Sequence, residues 1–128
     1  MKFAPRRSQI IGRMLIEKSQ SLIITIDETR VTKYLLVDAV GVEAAAVGIK
    51  VGDVVVPKAV GHMILKNGTI YSPWIEEKDI GVFAKDWSLD DFLVQTHSGK
   101  QFVPFDSPEA MESLAWTSDV RETSQAAE

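Results

Sequence analysis

Metal and proton chemistry in this chain would fall first to its two histidines, His62 and His97. A zinc or acid–base site places a second His or a Glu within a turn of the first, so that both reach one atom. Neither histidine has such a neighbour, and each reads as an exposed or structural imidazole. Asp90 and Asp91 are adjacent. They would therefore lie on opposite faces of a strand, or about 100° apart on a helix, and do not form an acid–base pair. There is no cysteine, which removes thiolate ligands, thiol nucleophiles and disulfides together. The eight glycines are scattered, with neither a GxGxxG nor a GxxxxGK[ST] run to cradle phosphates and no GxSxG elbow. Trp74, Trp87 and Trp116 are spread along the chain, and burial explains them better than a stacking platform. A binding or structural protein is expected, not an enzyme, with no catalytic residue, no metal and no cofactor.

The composition sets the frame in which any binding surface must be built. The chain has 128 residues, 45% apolar and 25% charged, enough for one domain with a true core and too apolar for wholesale disorder. No apolar stretch approaches the length of a membrane span, so no membrane partner is expected. The first residues carry neither a long apolar run nor a small-residue cleavage site, so no signal peptide is expected and a cytoplasmic setting fits. The net charge of −4 is unevenly spread. Lys2, Arg6, Arg7, Arg13 and Lys18 face only Glu17 near one end, while Asp106, Glu109, Glu112, Asp119, Glu122 and Glu128 face only Arg121 near the other. The basic end has no interleaved aromatics, so no nucleic-acid partner is expected. It reads as a solvated end, or as a surface that pairs with the acidic tail of another molecule.

Short β-type runs between turn residues dominate the first two thirds. Ser21–Ile26 and Tyr34–Val40 are rich in Val, Ile, Leu and Thr, and Val54–Val56 follows the turn Val51-Gly52-Asp53. His62–Leu65 and Thr69–Tyr71 flank Asn67-Gly68, a dipeptide suited to a two-residue hairpin turn. Ile80–Ala84 adds one more run. Such spacing predicts an all-β barrel or sandwich. The Ala-rich Glu43–Val47, ending at Gly48, reads as a connecting loop or a single turn. Beyond Asp86 the character changes. Phe92–His97 and Gln101–Phe105 bracket Ser98-Gly99-Lys100 as a second hairpin, although Ser88-Leu89-Asp90-Asp91 also resembles a helix start. Ser107-Pro108-Glu109 opens a short helix carrying Met111, Leu114 and Ala115, and a polar tail follows from Thr117.

Three motifs in order give this pattern a family likeness. Val37-Asp38-Ala39-Val40-Gly41, Lys50-Val51-Gly52-Asp53-Val54-Val55-Val56 and Glu77-Lys78-Asp79-Ile80-Gly81-Val82-Phe83-Ala84 are similar to segments of the GroES-type co-chaperonins. The likeness covers about residues 9–85, with residues 86–128 as a C-terminal extension that has no counterpart. It implies a small, partly open β-barrel of GroES type, with the C-terminal hairpin and short helix added. In it Gly41 ends a strand where a left-handed or open conformation costs least, and Gly52-Asp53 turns the chain into the next strand. Ile80, Val82 and Phe83 would supply a closing strand and a subunit contact, so a cyclic homo-oligomer is implied.

Ser19-Gln20-Ser21-Leu22-Ile23-Ile24 resembles the apolar segment with which these co-chaperonins, the phage-encoded forms especially, grip their chaperonin. Leu22, Ile23 and Ile24 are then the chaperonin contacts, and the partner hydrolyses ATP. Periodicity equally allows Leu22–Ile26 to be a core strand. Only residues 17–21 separate Ile16 from Leu22, a reach of at most about 18 Å, where the family has a long mobile loop. The roof segment, residues 42–49, is also short, as in roof-less phage versions. The alternative implied is a phage structural protein, a capsid decoration or accessory oligomer that keeps the barrel without the grip. Its partner would be a capsid protein and its setting the virion.

Overall fold

The computed structural model describes residues 4–65, 70–96, 98–99 and 101–108. Strand β1 (Gln9–Glu17) lies antiparallel to β2 (Tyr34–Val40), in register from Ile10 opposite Val40 to Leu15 opposite Tyr34, with an irregularity between Ile11 and Gly12. The other edge of β1 is divided between two partners. Strand β5 (Ile70–Glu76) takes Gln9–Ile11, and β7 (Phe92–Gln95) takes Leu15–Glu17. From β2 the sheet continues through β3 (Val54–Pro57) to β6 (Ile80–Phe83). From β5 it continues to β4 (Gly61–Leu65), and β8 (Phe102–Val103) pairs with β7 as a hairpin. The described residues thus form one antiparallel, eight-stranded sheet whose end strands, β4 and β6, do not pair with each other. The protein is all-β, and its sheet is open.

The two central strands are buried at nearly every position. A strand covered on both faces must be apolar almost throughout instead of alternating, and IIGRMLI and YLLVDAV meet that demand. Side-chain alternation sends Leu35, Val37 and Val55 to one cluster with Ile10, Met14 and Ile75, and Leu36 and Val54 to a second with Leu15, Phe92 and Val94. Strands β7 and β8 thus extend the edge of β1, with Phe92, Val94 and Val103 in or against the second cluster and Phe102 against the first. The two charges inside the central strands find each other. Arg13 Nε donates to Asp38 Oδ2 at 2.9 Å and its Nη2 to Oδ1 at 3.0 Å, both side chains being buried. The Phe105 ring lies 5.7 Å from the guanidinium carbon, so the cation is shielded from water as well as paired.

One segment differs from the sequence expectation. Ser21–Ile26, expected as a β-type run or a mobile loop, is helix α1 (Ser21–Ile26), between 3-10 turns at Lys18–Gln20 and Glu28–Arg30. Both edges of β1 are occupied and β2 lies between β1 and β3, so no central edge is open to this run. Its backbone groups bond locally instead. Val42–Ala46 forms a short helix, α2, a single turn as one of the two sequence readings allowed. Around Ser88 both readings are realised in succession. Ser88 and Asp91 form a reciprocal capping box on the turn Leu89–Asp91, and β7 starts at Phe92. The Asn67-Gly68 turn, His97, Lys100 and everything from Glu109 on, with Met111, Leu114, Ala115 and Trp116, lie outside the described residues.

Candidate functional site

Helix α1 begins where β1 ends and presents apolar side chains to solvent. Leu22 and Ile26 are 76% and 78% exposed, and the spacing of four puts them on one side of the helix. Ile23 and Ile24 are half-buried. The tripeptide expected to make a common contact is therefore divided: Leu22 faces out, and its outward companion is Ile26, which helical spacing would have singled out. The helix is closed by local bonds. Asp27 N–H donates to the Ile23 carbonyl at 2.8 Å, and Asp27 Oδ1 accepts from Thr29 Oγ1 at 2.6 Å and from Thr29 N at 3.0 Å. The Thr29 hydroxyl bond, then its backbone bond, lowers the Asp27 carboxyl below its ordinary value.

Directly before α1 the chain lines a cleft of about 460 Å³. Glu17 and Lys18 form one side at the end of β1, and Tyr34 stands at the start of β2. The lining is completed by Lys85, Asp86 and Trp87, and by Asp90, Asp91 and Phe92 where β7 starts. Three rings are fixed against one another. Phe92 lies edge-on to Tyr34, with centroids 5.3 Å apart, and to Trp87 at 6.2 Å. Tyr34 Oη donates to Glu17 Oε1 at 2.7 Å, and this bond, with some burial and the nearby carboxylate charge, raises the phenol above its ordinary value. Asp91 Oδ2 accepts from Ser88 N. Asp86 holds a left-handed φ of 56°, which turns the chain between β6 and Trp87. Among the described residues no ion pair joins these carboxylates to Lys18 or Lys85. Asp90 and Asp91 are exposed and Trp87 packs partly buried against the second core cluster, in line with the sequence reading, and all three also line this cleft.

The remaining expected residues are dispersed. On β6, Ile80 is partly buried against the first core cluster, whereas Val82 and Phe83 are 60% and 45% exposed. Gly52 has φ +98° at the turn before β3, and Asp53 Oδ2 accepts from Lys50 N at 3.0 Å. Gly41 is extended, at φ −72° and ψ 164°, not left-handed. A Cβ at this position would run into the Arg7 carbonyl oxygen, so close approach of two backbones is what requires the glycine. His62 is on β4, with its ring pushed below the ordinary value by partial desolvation and then by the charge of Lys33. Among the described residues no group of three His, Cys, Asp or Glu could hold a metal, and no helix is long and apolar enough to cross a membrane. Comparison with protein families, curated proteins and solved structures found no match.

Proposed function

We propose that this chain is a co-chaperonin-like, ring-forming protein that caps a chaperonin and assists folding without a catalytic step of its own. In this reading the open sheet is a partly open GroES-type barrel, and the exposed β6 residues Val82 and Phe83 meet a neighbouring copy. The observation that carries the reading is the exposure of Leu22 and Ile26 on the link between β1 and β2. Isolated exposed leucines are ordinary, but two on one helical side form a compact apolar edge that a hydrophobic groove can cover. Because α1 is already helical, docking costs less ordering entropy than a free loop would. Several copies in a ring would bind together by avidity and still release singly.

A second reading, an accessory or decoration protein on a phage capsid, is favoured by the same helix. Ile23 and Ile24 are half-buried, and a short helix held between two turns suits a rigid attachment. Sedimentation with a chaperonin, with and without ATP, tests the first reading. Nucleotide-dependent co-sedimentation that Leu22→Ser abolishes, with the ring intact, is the expected result. A stable ring that never co-sediments overturns it and leaves the capsid reading.

A further inference from the structure

We propose that the cleft beside β1 is a binding site for a guanidinium group, carried as an arginine side chain by a partner protein. Its walls provide both halves of such a site. Trp87 and Tyr34 are braced against Phe92, so their rings are in place before a ligand arrives. A planar cation gains from a ring face and loses less hydration than an ammonium when it leaves water. The charged rim holds four carboxylates, from Glu17, Asp86, Asp90 and Asp91, against the two ammonium groups of Lys18 and Lys85. Glu17 and Asp91 already accept local bonds. Asp86 and Asp90 are exposed, and no hydrogen bond or ion pair engages either carboxylate among the described residues. Each is thus an acceptor with both oxygens open to a bidentate donor. The volume of about 460 Å³ lies within the range of small-ligand sites and exceeds what one planar head group needs, leaving room for its stem.

Assigning the guanidinium to a protein follows from position. Lys18 and Ser19 of the cleft wall lie in the turn that leads into α1, so a partner that covers Leu22 and Ile26 is brought close to the cleft. That assignment rests on the reading of α1 as a docking helix; the preference for a guanidinium does not.

The test uses the full chain and no chaperonin or capsid, so its failure is separate from failure of the proposed function. The indole N–H signal of Trp87, identified by its loss in Trp87→Phe, is followed by NMR during titration with N-acetyl-arginine amide. N-acetyl-citrulline amide, the neutral isostere, and free L-arginine are run beside it. The expected result is a saturable shift with the arginine amide and binding weaker by about tenfold or more with the citrulline amide. The double variant Asp86→Asn with Asp90→Asn, two exposed changes that leave the capping bonds in place, is expected to weaken arginine binding severalfold. Equal binding of the citrulline amide, no saturable shift, or unaltered binding in that double variant overturns the site. Tighter binding of free L-arginine than of the blocked amide overturns the protein-borne assignment in favour of a small-molecule ligand.

Discussion

β2 and α1 are apolar runs of similar length, close together in the chain, with opposite surroundings. In β2, Leu35, Leu36 and Val37 are buried between β1 and β3 and under side chains on both faces. In α1, Leu22 and Ile26 are almost as exposed as in an unfolded chain. Burial is worth about 25 cal/mol per Å² of apolar surface, so the first run helps to hold the fold and the second leaves that stabilisation unclaimed. The charges divide in the same way. Arg13 and Asp38, deep in the strands, satisfy each other, while the carboxylates and ammonium groups around the cleft share no ion pair among the described residues. The interior is closed on itself in both respects. Where β1 passes into α1, an open apolar edge and open charges lie side by side, while other exposed apolar side chains, such as Val42 and Val82, stand elsewhere on the surface.

The largest effect is expected at the buried pair. Arg13→Ala removes the buried cation paired with Asp38 and should cost about 3–5 kcal/mol of unfolding free energy, measured by urea denaturation. Replacing both partners, Arg13→Leu with Asp38→Leu, should recover most of that loss, because no charge is stranded. A cost below about 1 kcal/mol for Arg13→Ala would place the pair in the class of water-exposed ion pairs, and the contrast between interior and cleft would fail.

The apolar contrast is tested by one substitution in each run. Leu35→Ala should cost about 2–5 kcal/mol through lost transfer energy and a cavity, whereas Leu22→Ala should stay within about 0.5 kcal/mol, as exposed substitutions do. Comparable losses at the two positions would mean that α1 is packed, and the docking role would lose its basis.

How much of this could be read beforehand depends on whether a signal is local. Tyr34–Val40, the β-branched run from Val54 and the strand from Ile80 were legible because each is a short apolar run bounded by turn residues. The Ser88–Asp91 box was legible too, since both of its bonds span three residues. SLIITI was not, because its composition suits a strand, while β1 and β2 on either side of it have no free edge for it to join. Gly41 was singled out, but for its backbone angles; the true constraint is the Arg7 carbonyl, far away in sequence. A lone Arg in IIGRMLI and a lone Asp in YLLVDAV did carry a signal, since buried charges must pair, but it names no partner until register sets the strands side by side. The cleft is the extreme case. Its walls come from the ends of β1 and β6 and the starts of β2 and β7, which only topology brings together.

The smallest effect concerns the hydrogen bond at the cleft wall and sharpens the charge comparison. The chain has two tyrosines, so Tyr71→Phe leaves Tyr34 as the single phenol for titration by ultraviolet absorbance. Its ionisation should fall above the ordinary value of 10.0, since the bond to Glu17, burial and the Glu17 charge all favour the neutral form. A raised value means that the folded state holds this proton more tightly than the unfolded chain. The stabilisation is therefore complete below pH 10 and is lost as pH rises through the folded value. Glu17→Gln keeps an acceptor and removes the charge, so the midpoint should move down and still stay above 10, because a neutral acceptor bonds less strongly than a carboxylate. An unchanged midpoint would show that the Glu17 charge does not reach the phenol. The cleft would then be as well screened as open surface, and its carboxylates would have little hold on any cation.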